Sequence, residues 1–403
     1  MIINLIEQNN NMKKKVFYFG LEPLKARYTY QLSKEWMPAT FAEFSELEFV
    51  DVPGVFDPDQ QIKVGAVLDA VGRGKYAMSQ CASFLDMLNR NEVRDGDVVF
   101  LQDFWHPGIE SIFYALDLYN IKVKFYSMLH AQSVDEYDFT WPMRDWMRPI
   151  ELGIDKRMAG IFVGSTVHKE QLRAAGFNAP IHVVSLPLHK EMAKQVLPEH
   201  KELRWKPRNK TVVYASRFDK EKNPFFMLQV AKEFLKCRDD WEWHVTTSGK
   251  ALRSMLPGVV QAMVDFAIEQ PRFKILTDLT KEEYYTELAT GSVLFNSSLQ
   301  DYVSWTILEG SVFGIDAVFP NFRSFPEFIP ADRMYHAFDL SSALHTLLQA
   351  TKYEHSGCHY AFADIADLGR RMEGWIVANE PNFEINVWHE QALCEHLLNE
   401  NKQ

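Results

Sequence analysis

Short apolar runs, each long enough for one strand, alternate with amphipathic stretches along nearly the whole chain. This alternation is typical of parallel sheets covered by helices on both faces, and it predicts an α/β fold. The predicted strands are 15–20, 46–52, 97–103, 123–129, 159–165 and 182–186 in the first half, and 211–216, 241–247, 273–278, 292–298 and 316–320 in the second.

The rhythm is interrupted once, at 187–210, where prolines and charged residues cluster. A chain of 403 residues is long enough for two domains, each with its own core. We therefore predict two Rossmann-like, doubly wound domains at 13–190 and 210–380, with the interrupted segment as their connection. A ligand of such a pair is expected between the carboxyl ends of the two sets of strands.

Composition restricts the class of protein without identifying it. The chain is 47% hydrophobic and 24% charged, as in soluble globular proteins, and no apolar run approaches the length of a membrane span. The net charge of −11 argues against unspecific adhesion to nucleic acid or anionic membrane. The cysteines lack a CxxC pair or a histidine at metal-binding spacing, so we expect reduced thiols in a cytoplasmic protein and no zinc. They are Cys81, Cys237, Cys358 and Cys394.

Two strand-to-helix junctions in the second half carry the candidate chemistry. At the first, the strand 211–216 is followed by Arg217 and Lys222, and Asn223 and Pro224 read as the cap and first residue of a helix. The unpaired N–H groups and the dipole at a helix N-terminus favour an anion. Two cations beside that terminus suit a diphosphate better than a single carboxylate.

The second junction holds two acids. Asp301 lies in the predicted loop, and Glu309 follows eight positions later inside the next helix. Carboxylates accept hydrogen bonds from hydroxyl groups, so this junction suits a sugar. The two junctions together predict a nucleotide-sugar as the ligand.

In this order the residues resemble the C-terminal half of retaining GT-B glycosyltransferases of family 4. The resemblance is clear over 211–345 and thin in the first half, where two loops are similar to glycosyltransferases of tailed phages. In the second half it is carried by Arg217, Lys222, Ser298, Asp301, Glu309, Gly314 and the Phe-Pro-Glu that ends at Glu327.

The resemblance implies the GT-B fold and assigns roles. Arg217 and Lys222 would neutralise the pyrophosphate, Glu309 would contact the ribose, and Asp301, where the family usually has Glu, would contact the sugar. His130, at the end of a first-half strand, would reach the reacting centre. The final segment, 384–403, is predicted to form a helix that crosses back to the first domain.

The chain departs from the family at one loop. The family has Gly-Phe-Gly after the first acid, whereas this chain has Tyr302-Val303-Ser304. We expect the backbone N–H groups and hydroxyls that begin the next helix to contact the phosphate still. These residues are Val303, Ser304, Trp305 and Thr306.

Other strand ends supply further candidates. Gly20 ends the first strand and permits close approach of the donor diphosphate. Asp103, Trp105 and His106 follow the strand 97–103 and are candidates for the acceptor, through stacking and hydrogen bonding. Candidates for contacts with the nucleotide from the second domain are Ser248, Thr277 and Ser298.

The resemblance implies transfer with retention of anomeric configuration and no protein nucleophile. The donor would be a nucleotide-sugar, most simply a UDP-sugar carrying a hexose or a pentose, with no permanently bound cofactor and no required metal. A sequence of the Asp-x-Asp type that would bind a metal is absent from the predicted strand ends.

The motifs do not specify the acceptor. We favour a hydroxymethylated pyrimidine in phage DNA, whose base would have to be extruded into the cleft. The alternatives are a glycan, a lipid-linked sugar or a small metabolite as acceptor, a GT-B-like nucleotide-sugar epimerase, or a nucleotide-sugar-binding protein that lacks transfer activity. No basic amphipathic helix with exposed aromatics is evident, so we expect no docking to membranes.

Overall fold

Two parallel sheets of six strands each organise the molecule. The structure is a computed structural model that describes residues 13–24, 28–57, 69–130, 133–186, 188–197, 199–203, 207–247, 252, 254–352 and 365–378. The strands of the first sheet are β1 (Lys14–Phe19), β2 (Leu47–Asp51), β3 (Val98–Leu101), β4 (Lys124–Met128), β5 (Met158–Val163) and β6 (Ile181–Val183). Those of the second sheet are β7 (Asn209–Ala215), β8 (Glu242–Thr247), β9 (Phe273–Thr277), β10 (Gly291–Phe295), β11 (Asp316–Asn321) and β12 (Met334–His336).

Helices follow almost every strand. The first-half helices are α1 (Tyr28–Gln31), α2 (Met37–Ala42), α3 (Ala70–Asn89), α4 (Ile109–Leu118), α5 (Arg144–Asp155) and α6 (Thr166–Ala174), and a π-helical turn, Leu32–Trp36, joins α1 to α2. The later helices are α7 (Lys190–Val196), α8 (His200–Leu203), α9 (Pro224–Cys237), α10 (Val259–Glu269), α11 (Lys281–Thr290), α12 (Trp305–Phe313), α13 (Leu340–Ala350) and α14 (Ile365–Ala378).

The strand orders are those of doubly wound sheets. The first sheet runs β2-β1-β3-β4-β5-β6 and the second runs β12-β11-β10-β7-β8-β9. Central strands such as β3 and β10 are buried at every residue, because helices cover both of their faces. The switch in strand order places the loops after β1 and β3, and those after β7 and β10, at the edge where ligands of such folds bind.

Each strand predicted from the apolar runs is present, with ends that differ by a few residues. The short edge strand β12 was missed, because Met334–His336 has only three residues and no run of its own. The connection predicted as irregular contains the helices α7 and α8. Asn223 precedes α9 as predicted, but it adopts a left-handed conformation, with φ of 49°, and its side chain makes no capping hydrogen bond.

The chain returns to the first sheet through α14, within the range that the sequence analysis assigned to the second domain. Trp375 of α14 stacks on His182 of β6, with ring centroids 4.6 Å apart, and Leu368 and Met372 belong to the same core as β1 and β3. The predicted crossing helix at 384–403 lies outside the described residues. None of the described helices has the length and apolarity needed to cross a membrane.

Candidate functional site

The loop after β7 holds Arg217 at the surface between two acids. Its guanidinium lies 3.0 Å from the carboxylate of Asp219 and 2.7 Å from that of Glu221. Asp219 is itself tied down, because it accepts a hydrogen bond from the backbone N–H of Met255. The Arg217 side chain is 41% exposed, so it is oriented by these acids and still accessible to a ligand.

Lys222 is more enclosed and reaches across to the loop after β10. It ends the 3₁₀ turn Lys220–Lys222, and its ammonium donates to Asp301 Oδ1 at 2.8 Å and to the carbonyl of Gln300 at 3.3 Å. The sequence analysis assigned Lys222 and Asp301 to separate junctions, and the structure brings them into direct contact. The contact joins the predicted diphosphate clamp to the predicted sugar-binding acid.

Backbone hydrogen bonds lock the same two loops together. The carbonyl of Lys222 accepts from the hydroxyls of Tyr214 at 3.1 Å and Ser297 at 2.8 Å. The N–H of Leu299 donates to the carbonyl of Glu221 at 2.7 Å. Sequence reasoning missed Tyr214 and Ser297, because a hydroxyl that serves a backbone carbonyl has no recognisable spacing.

Glu309 on α12 is 4% exposed, and its carboxylate accepts three hydrogen bonds. Its carboxylate accepts from the Lys281 ammonium at 2.7 Å and from the hydroxyls of Tyr284 at 2.9 Å and Tyr285 at 3.2 Å. Burial and, next, the charge of Glu309 raise the pKa of both tyrosines, so both remain hydrogen-bond donors. The carboxylate is therefore held in a fixed orientation by α11, with Lys281 balancing its charge.

The loop that begins at Asp301 packs against the first domain through its side chains. The Tyr302 ring stacks on that of His168, with centroids 3.6 Å apart and planes 6° apart. Val303 lies against Gly164, where an added Cβ would come within 2.3 Å of a Val303 methyl. This loop is therefore held by side-chain packing.

The start of α12 continues the contact. Trp305 packs on Trp36, with ring centroids 4.9 Å apart. The hydroxyls of Ser304 and Thr306 lie 2.8 Å from each other, and Ser304 makes no side-chain capping bond to the helix. The Trp305 side chain thus packs between the two domains. Only the backbone N–H of Trp305 remains a candidate for the predicted contact with phosphate.

His130 follows β4 at the edge of the first sheet. Its Nε2 lies 2.9 Å from the carbonyl of Gln102, an arrangement in which Nε2 carries a proton and donates. Burial lowers the pKa of His130, against the opposing effect of Asp103. The ring is therefore neutral and oriented by the loop after β3.

Gln102 also organises the loop that contains Gly20. Its Oε1 accepts from Tyr18 at 2.7 Å, from the N–H of Leu21 at 2.8 Å and from Ser33 at 2.7 Å. A Cβ on Gly20 would lie 3.2 Å from the Tyr18 ring, so the backbone passes close to that ring. Gln102 is a positioning residue that the sequence analysis did not identify.

The acceptor candidates separate into two groups. Asp103 lies 3.7 Å from the buried guanidinium of Arg73, which also approaches Glu22 at 3.5 Å. Trp105 is half-buried and meets Trp146 edge to face at 5.8 Å, and its carbonyl accepts from Arg73 at 3.4 Å. Asp103 and Trp105 thus stand together at the carboxyl end of β3.

His106 points the other way. It is 2% exposed, packs edge to face on Phe19, and lies 3.2 Å from Gln80 Oε1. Burial lowers its pKa to about 3, so the ring is neutral. The predicted acceptor contact by His106 finds no support in this position, because the residues that follow β3 alternate between the cleft and the core.

The remaining predicted donor contacts are less closely assembled. Ser298 is 1% exposed, and its N–H donates to Asn296 Oδ1 at 2.7 Å. Thr277 is exposed at the carboxyl end of the edge strand β9, two strands away from β7. Ser248 lies outside the described residues. Within the described ranges, His, Cys, Asp and Glu side chains form no group of three that could hold a metal ion.

Polar contacts connect the two domains around these residues. Gln300 Nε2 approaches Asp138 Oδ2 at 3.4 Å, and the guanidinium of Arg323 pairs with Asp135 at 3.1 Å and Glu136 at 2.9 Å. The loops after β10 and β11 in the second domain therefore meet the loop after β4 in the first. These contacts place Asp301, the neighbour of Gln300, beside the loop after β4.

Comparison with known proteins is consistent with this architecture. No protein-family model matches the sequence, and no curated protein matches it. Sucrose-phosphate synthase from Thermosynechococcus elongatus is similar in structure, with a TM-score of 0.61 at 12% identity over 96% of this chain and 100% of that one. HepE of Anabaena, solved with UDP-glucose, gives 0.55 at 10% identity over 96% and 100%.

TarM of S. aureus, solved with UDP, gives a TM-score of 0.51 at 11% identity over 81% of this chain and 59% of that one. This chain therefore spans less than two thirds of the length of TarM. At such identities the similarity establishes the fold alone. The chain has the GT-B fold, as predicted from its sequence.

Proposed function

We propose that the protein is a glycosyltransferase that moves a sugar from a UDP-sugar to an acceptor hydroxyl with retention of configuration. The observation that carries the proposal is the contact between Lys222 and Asp301 at 2.8 Å, which joins the predicted diphosphate and sugar sites. The oriented carboxylate of Glu309 adds a partner for ribose hydroxyls. The structurally similar HepE and TarM, solved with UDP-glucose and UDP, support the choice of donor.

In this proposal Arg217 and Lys222 stabilise the leaving diphosphate. As the glycosidic bond breaks, negative charge grows on the phosphate oxygen, and preorganised cations lower the energy of that state. Both cations rest on carboxylates in the structure, so binding of the donor exchanges carboxylate partners for phosphate. Asp301, once released from Lys222, can accept a hydrogen bond from a sugar hydroxyl.

The acceptor hydroxyl then attacks the anomeric carbon from the face that the diphosphate leaves. The new C–O bond forms as the old one breaks, and the hydroxyl proton passes to the departing phosphate oxygen. The neutral His130 acts as a polar contact beside this centre, because its lowered pKa keeps it uncharged. The proposal needs no protein nucleophile.

For the acceptor we propose a hydroxymethylated pyrimidine in DNA. Trp105 and the 52% exposed Trp146 form an aromatic surface next to Asp103, and Arg144 lies over the ring of Trp141 at 4.6 Å. Aromatic and guanidinium planes are surfaces on which extruded bases stack, and a carboxylate accepts from an exocyclic amine or hydroxyl. The net charge of −11 opposes phosphate binding, so we expect DNA to bind through the base, with an affinity that depends only weakly on salt.

The test incubates the protein with a panel of UDP-sugars and DNA that contains hydroxymethylcytosine or hydroxymethyluracil. Mass spectrometry of the nucleosides should show one base heavier by a hexose or a pentose. Release of UDP without a nucleoside mass shift would retain the transferase and reject DNA as acceptor, in favour of a glycan or small metabolite. The proposed activity would be contradicted if every donor gave no UDP release and no mass shift.

A further inference from the structure

Three of the four residues from Tyr302 to Trp305 anchor this loop to the first domain. Tyr302 stacks on His168, Val303 packs on Gly164, and Trp305 packs on Trp36. At 302 and 304 the chain lacks the glycines that its family resemblance leads one to expect. Tyr302, which replaces the first of them, contacts the other domain, whereas the Ser304 hydroxyl lies 2.8 Å from that of Thr306 in its own domain.

His168 is the unusual member of these contacts. It is fully buried, and neither ring nitrogen has a hydrogen-bond partner within the described part of the chain. Buried polar groups are normally hydrogen-bonded, so an imidazole without such bonds calls for another explanation. Its plane lies nearly parallel to Tyr302, and burial depresses its pKa, so the ring serves as a neutral aromatic surface.

Both domains hold His168 in place. It lies in the first turn of α6, where its N–H donates to the N-cap hydroxyl of Ser165 at 3.3 Å. The N–H groups of Thr166 and Val167 in the same turn donate to the carboxylate of Glu327 from the second domain, at 2.7 and 2.9 Å. The stacking surface therefore has a fixed position relative to the donor loop.

We propose that His168 is a positioning residue, which acts through Tyr302 on Asp301 and on the N-terminus of α12. The inference rests on the proposed function. Asp301 is the immediate neighbour of Tyr302, and its carbonyl is fixed by the Ser324 hydroxyl at 2.6 Å. Loss of the stack releases one side of this short segment, so the sugar-binding acid and the helix N–H groups lose their alignment with the donor.

The experiment measures KM and kcat for the UDP-sugar in a UDP-release assay, and the affinity for UDP by calorimetry. Contact between stacked aromatic rings contributes enough to predict a rise of roughly 2- to 10-fold in both donor KM and UDP dissociation constant for His168→Ala. His168→Phe keeps the ring and should restore both values. Tyr302→Leu breaks the same stack from the other domain and should match His168→Ala.

The double variant separates a direct contact from two independent effects. If the two rings act together, His168→Ala combined with Tyr302→Leu weakens donor binding no more than either substitution alone. Full additivity of the two effects would contradict the inference. Because either single variant can be used for the donor measurements, failure of one of them to fold does not prevent the test.

The chain offers a matched control in a second stack of histidine on an aromatic ring. His182 on the edge strand β6 stacks on Trp375 of α14 at 4.6 Å, and burial lowers the pKa of His182 to about 4. His182→Ala should lower the melting temperature and leave donor KM and UDP affinity unchanged. If His168→Ala behaves in the same way, its role is structural and the inference is wrong.

Failure of the proposed function and failure of the positioning role of His168 give different results. If wild-type protein binds no UDP and releases none from any donor, the proposed function falls and the inference with it. If wild type binds UDP and the His168 and Tyr302 variants bind it equally well, the proposed function stands and the inference alone is overturned.

Discussion

The proposed donor side and the proposed acceptor side of the site differ in how their charged groups are held. On the donor side the pairs are tight, with Lys222 2.8 Å from Asp301 and Lys281 2.7 Å from Glu309. On the acceptor side the buried Arg73 is 3.7 Å from Asp103 and 3.5 Å from Glu22, beyond ordinary hydrogen-bond distance.

This difference indicates two ways of preparing a site. Tight pairs keep the donor groups in position, and a diphosphate must compete with carboxylates for the cations, which favours a ligand with at least two negative charges. On the acceptor side, the carboxylate of Asp103 has hydrogen-bonding capacity that a neutral hydroxyl or base can complete. We therefore expect substitutions on the donor side to affect chemistry most, and those on the acceptor side to affect acceptor KM.

The largest effect is expected for Lys222→Ala. Removing one preorganised group that stabilises charge in the transition state costs about 10²- to 10³-fold in rate, so turnover in the UDP-release assay should fall by that factor. Lys220→Ala, an exposed lysine in the same 3₁₀ turn, is the control and should retain turnover. Equal turnover in both variants would remove the distinction between the two sides.

The next effect concerns Asp138, which lies where the two sides meet, near Gln300. Burial raises its pKa from 3.8 to about 6, so the folded state binds this proton more tightly than the unfolded state. The group therefore favours folding below about pH 4, and that contribution is lost as the pH rises through about 6. The loss is on the order of 2–3 kcal/mol.

Asp138→Asn should abolish this dependence. Between pH 4 and pH 7 the free energy of unfolding of wild type should fall by about 2–3 kcal/mol more than that of the variant. Denaturant titrations at several pH values measure it. If the stability of the two proteins depends on pH in the same way, Asp138 titrates normally, and the region around Asp138 and Gln300 is open to water.

Glu309→Gln tests the donor side through nucleotide affinity. The substitution removes the negative charge that Lys281 balances, and the neutral amide makes weaker hydrogen bonds than the carboxylate. UDP affinity should therefore fall by about tenfold. The exposed Glu282 on α11 gives the control Glu282→Gln, for which no change is expected. A loss of stability with unchanged UDP affinity would assign Glu309 to the fold alone.

The smallest effect is expected on the acceptor side. Trp105→Ala should raise acceptor KM several-fold, because stacking on a base contributes about 1–3 kcal/mol, while donor hydrolysis stays unchanged. A parallel loss of donor hydrolysis would place Trp105 in the donor site or the core. Exposed Phe225→Ala on α9 is the comparison variant.

The two sides also differ in what their sequences reveal. The apolar runs predicted the strands because buried parallel strands need continuous hydrophobic residues, and β12 was missed because it is short and at the edge. On the donor side, Lys222 and Asp301 each follow a predicted strand at a short spacing along the chain, so both could be recognised from the order of residues in the sequence. The two junctions were predicted in this way, but the ion pair between Lys222 and Asp301 was not, because it depends on how the two loops pack.

On the acceptor side, tertiary packing decides which residues face the cleft. His106 follows the same strand as Asp103, yet its side chain is buried in the core. The spacing of polar residues in the sequence does not distinguish the two. His168 and Arg73 lie on helices at positions without a chemical motif, so their roles become visible only when distant loops are brought together. Gln102 was missed for the same reason, since its amide serves backbone and hydroxyl groups from β1 and the π-helical turn.

The central claim is that the junctions after β7 and β10 together bind a nucleoside diphosphate. Calorimetric titration of wild-type protein with UDP, UMP and uridine tests it directly. We predict that UDP binds to one site, that UMP binds more weakly, and that uridine binds weakest, with the advantage of UDP lost in Lys222→Ala. Equal affinity for UDP and uridine, or no binding of any of them, would contradict the account.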